Sequence, residues 1–176
     1  KTVTFIPTAA LHEKVNFYVK SGKKALEKLG LIVDELEIST ASKEEISSKL
    51  HDNDYIYITG GNTFFLLQEL KKTGADEIIA EQINSGKMYI GESAGSMIVS
   101  PCIEYVKDLD DFEMATGLVD FNALSVIDFY PLPHQGNVPF KKIVEKIILK
   151  YEDKLKLMPI SNSNAILVDG ENATVI

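Results

Sequence analysis

The chain has 176 residues, 45% of them hydrophobic and 25% charged, which suits one domain with a proper core. A formal net charge of −8 argues against a nucleic-acid partner, which needs a basic face, and weakly disfavours acidic substrates. The single cysteine, Cys102, excludes an internal disulfide and a multi-thiolate metal site, and a reducing cytoplasm fits best.

No apolar run approaches the roughly 18 residues of a membrane span, so no membrane partner is expected, and no signal peptide precedes the first apolar stretch. The chain starts at Lys1 on that stretch and ends on Thr174-Val175-Ile176, so both ends are expected to be cut. Thr2 to Pro7 predicts a strand, and a helix is expected from about Leu11 to Leu29, with Val15, Tyr18, Val19, Ala25, Leu26 and Leu29 on one face. Gly30 stops it, and Leu31 opens a second strand running to about Ile38. Ser42 and Glu45 have capping-box spacing and open a short helix ending near His51.

Tyr55 to Thr59 is the third strand, followed by the turn Gly60-Gly61-Asn62 and helices over Thr63 to Lys72 and Ala75 to Asn84. The strand Met88-Tyr89-Ile90 runs into Gly91-Glu92-Ser93-Ala94-Gly95, and a helix is expected beyond it. An acidic loop from Lys107 to Glu113, a strand near Ser125 to Phe129 and a helix from Pro139 to Tyr151 come next. Two strands, Ala165 to Val168 and Ala173 to Ile176, close the chain. This alternation predicts a single α/β domain over residues 1–176, three-layered and doubly wound, with a mostly parallel sheet and helices on both faces. Ligands bind such sheets at the carboxyl ends of the strands, where both glycine-bearing turns fall.

Gly91-x-Ser93-x-Gly95 between a strand and a helix has the form of a nucleophile elbow, in which a sharp turn lifts the serine hydroxyl above the sheet. Ser93 is therefore the candidate nucleophile, with the Ala94 N–H aimed at an oxyanion and the following helix N-terminus favouring negative charge. A serine hydroxyl needs a base. Of the three histidines, His12 and His51 lie in polar helix-end settings, whereas His134 follows Pro133 just past a strand, at the functional edge. The Gly61 N–H is the candidate second oxyanion donor, since glycine allows close backbone approach, although Gly-Gly after a strand also makes a plain tight turn.

The Gly60-Gly61-Asn62-Thr63 turn, the Gly91-Glu92-Ser93-Ala94-Gly95-Ser96 elbow and the Pro133-His134 pair resemble the peptidase E (α-aspartyl dipeptidase) family of serine peptidases, with cyanophycinase a more distant relative. The resemblance implies a fold like the class I glutamine amidotransferases, with serine in place of the elbow cysteine and a further N-terminal strand missing from this chain. It implies cytoplasmic hydrolysis of short peptides without metal or organic cofactor; a short peptide or small amide is the expected partner, and a monomer or homodimer the expected state. Ser93 and His134 would be nucleophile and base, Gly61 and Ala94 the oxyanion hole, and Asp108 the third catalytic member by one family assignment. Asp110 is a further candidate for that place. By another assignment the third member is a glutamate in a late turn, which here reads Pro159-Ile160-Ser161-Asn162, with Asn162 nearest in register. The arginine that receives the substrate's aspartate in the family is absent from Val138 to Ile143, where Lys141 and Lys142 suit an ordinary polar helix face. An esterase or amidase, and a binding module without catalysis, are the competing readings.

Overall fold

The computed structural model of the chain describes residues 1–176. Its centre is a parallel sheet of four strands in the order β2-β1-β3-β4, formed by β1 (Thr2–Ile6), β2 (Ile32–Glu35), β3 (Tyr55–Ile58) and β4 (Met88–Gly91). Strand alternation assigns the two faces. Ile6, Ile56 and Ile58 point into the main core with α2 (Lys43–Asp52), α3 (Thr63–Thr73), α4 (Ala75–Asn84) and α6 (Lys141–Tyr151). Val3 and Phe5 point the other way, onto Leu26 and Val19 of α1 (Phe17–Lys28), with Tyr55 and Tyr57 beside them. Helices thus cover both faces, as the alternation predicts.

Chain direction across the sheet reverses between β1 and β3, the switch point beside which such sheets open a crevice at their carboxyl edge. Asn62 N–H donates to Ala9 O at 2.8 Å across this point, tying the turn after β3 to the loop after β1. That bond also explains why the first helix begins late. Thr8–Ala10 is a 3-10 turn whose Ala9 carbonyl is taken by Asn62, and Val15 and Phe17 face solvent, so nothing draws residues 11–16 into a helix. Downstream, α2 starts where its cap predicts, with Glu45 N–H donating to Ser42 Oγ at 3.1 Å.

The later half departs further from expectation. The helix behind Ser93, α5 (Ala94–Met97), has a single turn, because the carbonyls of Ile98, Val99, Ser100 and Pro101 accept N–H donors from Ala123 to Val126. Those bonds hold Ser125 to Phe129 as a loop, with Ser125 at φ 53, so the strand comes later, as β5 (Tyr130–Leu132). It pairs in parallel with β6 (Leu157–Pro159), a short strand outside the main sheet that ends on proline and gives no period to read. Pro139, in a cis peptide after Val138, precedes α6 instead of entering its first turn. The chain closes with the antiparallel hairpin of β7 (Ile166–Asp169) and β8 (Asn172–Val175), and no helix is long and apolar enough to cross a membrane.

Candidate active site

Ser93 ends β4's extension in a sharp turn at φ 49 and ψ −107, a conformation that costs a non-glycine residue about 1–3 kcal/mol. Close packing holds it there. A Cβ on Gly91 would lie 2.4 Å from Gly95 O, and one on Gly95 would lie 2.3 Å from Ile58 O, so only glycine lets the strand end, the turn and β3 stack. Tyr89 donates its hydroxyl to Gly95 O behind the turn, where burial pushes that phenol well above its ordinary value.

The raised hydroxyl meets a histidine. Ser93 Oγ lies 2.9 Å from His134 Nε2, and His134 Nδ1 lies 2.7 Å from Asn162 Oδ1. With Nδ1–H donating to the amide oxygen, Nε2 is the acceptor for the serine proton. His134 itself sits at φ 70 in a turn closed by Asn137 N–H on His134 O at 3.0 Å. Gln135 N–H on Ile160 O carries the β5–β6 pairing beyond the strands, which brings the late turn to the imidazole. Asn137 Oδ1 accepts Asn162 N–H at 2.9 Å, and Phe140 stacks on the imidazole at 4.5 Å between ring centroids. Neither residue stood out in the sequence, although Gln135-Gly136-Asn137 is a turn signature.

The Gly60-Gly61 turn packs against the elbow, since a Cβ on Gly60 would be 3.2 Å from Ser93 Cβ. Gly61, at φ 137, comes so close to Ala9 that a Cβ would stand 2.1 Å from the Ala9 carbonyl oxygen. The N–H groups of Gly61 and Ala94 donate to no other group of the chain. Asn62 accepts Phe65 N–H at 2.9 Å as the cap of α3 and donates to Asp111 O at 2.8 Å. Asp110 accepts from both the N–H and the hydroxyl of Thr63, and burial raises its carboxyl above the ordinary range. With α5 one turn long, negative charge at Ser93 would be met by single N–H groups and not by the dipole of a long helix. No group of three or more His, Cys, Asp or Glu side chains is placed to hold a metal ion.

A model of peptidase family S51 matches residues 1–176. The chain belongs to this family. An uncharacterized peptidase of Listeria monocytogenes is 57% identical over 171 residues, covering 97% of this chain and 83% of its own. Peptidase E of Shewanella denitrificans is 34% identical over 133 residues, 76% of this chain and 53% of that protein. A crystal structure from L. monocytogenes that carries the peptidase E name superposes with a TM-score of 0.96 at 55% identity, over 100% of this chain and 85% of that one. The S51 family is one of serine peptidases, so this member is a hydrolase of that class.

The fold of this S51 member brings Ser93, His134, Gly61 and Ala94 to one sheet edge, and it does not bring Asp108 there. The Asp108 carboxylate turns to α6, 3.0 Å from Lys146 Nζ and 3.6 Å from Lys150 Nζ, and the hydrogen bond from Lys146 holds its carboxyl below the usual range. The imidazole partner is Asn162, the residue in register with the late-turn glutamate, while Asp110 bonds to Thr63. Asp108→Asn should therefore change kcat/KM on any cleaved peptide by no more than about twofold, since a surface ion pair contributes little. Steady-state assay of the purified variant checks this.

Proposed function

We propose that the chain is a serine exopeptidase of short peptides that works through an acyl-enzyme on Ser93. The carrying observation is the chain of contacts from Ser93 Oγ to His134 Nε2 at 2.9 Å and from His134 Nδ1 to Asn162 at 2.7 Å. His134 takes the hydroxyl proton as Oγ adds to the scissile carbonyl. The oxyanion that forms is met by the N–H groups of Gly61 and Ala94, which are free to accept a new partner. His134 then passes the proton to the leaving amine, the C–N bond breaks, and water deprotonated by the same imidazole releases the acyl group.

Asn162 has a distinct part in this reading. With its Oδ1 toward Nδ1, Asn162 orients the ring, but it adds no charge to balance the imidazolium. The turn that carries Asn162 is itself fixed by Asn137, so orientation comes from two amides and the stacked Phe140 ring. A fluorophosphonate probe followed by peptide mapping tests the assignment, alongside turnover of a panel of dipeptides and aryl esters. Modification at Ser93, lost in His134→Ala, with dipeptide cleavage is the expected result. No modification at any pH would overturn the catalytic reading, and ester turnover without dipeptide cleavage would overturn the peptidase one.

A further inference from the structure

The turn beside the nucleophile contains a peptide unit with glycine at both ends. Between Gly60 and Gly61 the Cβ contacts that normally oppose rotation of a peptide plane are missing, so its orientation depends on what its carbonyl and its N–H meet. The chain on either side is tied down. Thr59 N–H donates to Ile6 O at 3.1 Å before this unit, and Asn62 N–H donates to Ala9 O at 2.8 Å after it. Asn62 also donates its side-chain amide to Asp111 O at 2.8 Å, and Thr63 N–H donates to Asp110 at 2.9 Å. Gly60 backs directly onto the nucleophile, since a Cβ there would be 3.2 Å from Ser93 Cβ.

The carbonyl of this unit has one partner. Thr59 donates its hydroxyl to Gly60 O at 3.0 Å, and no other donor of the chain reaches that oxygen. Thr59 and Gly60 are both buried, so water is a poor substitute for the bond. The peptide is trans, and in a trans peptide C=O and N–H point in opposite directions. A hydroxyl that holds the Gly60 carbonyl on one side therefore sends the Gly61 N–H to the other, where it donates to no group of the chain.

We propose that Thr59 is a positioning residue of the reaction, its hydroxyl locking the Gly60-Gly61 peptide with the N–H turned out toward the oxyanion. The inference rests on the reading of Gly61 as an oxyanion donor and adds what aims it. Without the hydroxyl the peptide is free to turn over. That would bring a carbonyl oxygen to the place where negative charge develops and carry the N–H away from it. Thr4 supplies the comparison for a merely structural hydroxyl: it is as fully buried as Thr59, and its bond to Lys49 O at 2.8 Å joins β1 to α2, neither of which carries a site residue.

The test reads the rate at which a fluorophosphonate modifies Ser93, which needs no peptide substrate. Ser93 Oγ bonds to phosphorus, His134 takes the proton, fluoride leaves, and the phosphoryl oxygen occupies the oxyanion position as charge builds on it. Thr59→Val, nearly isosteric, should slow modification about 10-fold, the worth of one buried neutral hydrogen bond. Thr59→Ser keeps the hydroxyl and should restore the rate to within about twofold of the parent, while Thr4→Val should melt lower yet react at the parental rate. Circular dichroism on each sample checks the fold, and Thr59→Ala takes the place of Thr59→Val if valine prevents folding. A folded Thr59→Val or Thr59→Ala that reacts at the parental rate, while Gly61→Ala reacts slowly, overturns the inference and leaves Gly61 as donor. A slowing that Thr59→Ser does not restore, or that Thr4→Val shares, assigns the effect to packing and overturns it too. Parental rates in both Thr59→Val and Gly61→Ala, or no modification of the parent, overturn the reading of Gly61 as well.

Discussion

Ser93→Ala is expected to lower dipeptide turnover by about 10⁴-fold or more, with His134→Ala close behind and the double variant no worse than either. The non-additivity follows from geometry. The 2.9 Å contact makes hydroxyl and imidazole one device, so removing either leaves only the binding and oxyanion groups. Asn162→Ala should cost less than either, because Phe140 still stacks on the ring and Nε2 still faces the serine. The position also carries a second expectation. Ser93 is held at φ 49 and ψ −107, where glycine is at ease and any Cβ is strained. Ser93→Gly should therefore be inactive yet melt above the parent, regaining part of about 1–3 kcal/mol of strain less the entropic cost of glycine. Thermal unfolding of parent, Ser93→Ala and Ser93→Gly, with kinetics on the same samples, reads both effects. An active Ser93→Ala would remove Ser93 as nucleophile, and a Ser93→Gly that melts lower would show the turn to be unstrained.

What was legible in the sequence is what short-range chemistry determines. Gly91-x-Ser93-x-Gly95 announces a turn because a Cβ on Gly91 would strike the Gly95 carbonyl four residues on, and Ser42 with Glu45 announces a helix start because the bond is local. What was hidden depends on partners far along the chain. Residues 11–16 carry a helical pattern, but the carbonyl needed to continue the first turn is spent on Asn62. Ser125 to Phe129 carries an apolar run, but the N–H groups of Ser125 and Val126, with those of Ala123 and Leu124 just before, go to the turn that ends α5. Asp108 lies where a resemblance looks for a carboxylate, yet two lysines of α6 draw it away. Asn162 reaches His134 only because β5 and β6 pair, a pairing of three residues that leaves no periodic trace.

Gly61→Ala separates a working oxyanion donor from a plain tight turn. An added Cβ would stand 2.1 Å from Ala9 O and 2.5 Å from Ala10 N, and the residue sits at φ 137, so the turn has to move whatever its role. Either role predicts lower stability. Only the catalytic role predicts that protein still folded loses turnover as well, by about 10²–10³-fold in kcat with KM little changed, since the Gly61 N–H would serve the transition state more than the bound peptide. Displacement of the turn is expected to stay local, because Asn62 still caps α3 through Phe65 N–H and Asp110 still holds Thr63. Measuring kcat well below the melting temperature, with circular dichroism on the same sample, keeps the two effects apart. A folded Gly61→Ala with parental kcat would leave Ala94 alone in the oxyanion hole. A fall in kcat at constant KM would make Gly61 the point at which the β1–β3 switch of the sheet meets the chemistry, held against Ala9 by the same Asn62 bond that delays the first helix.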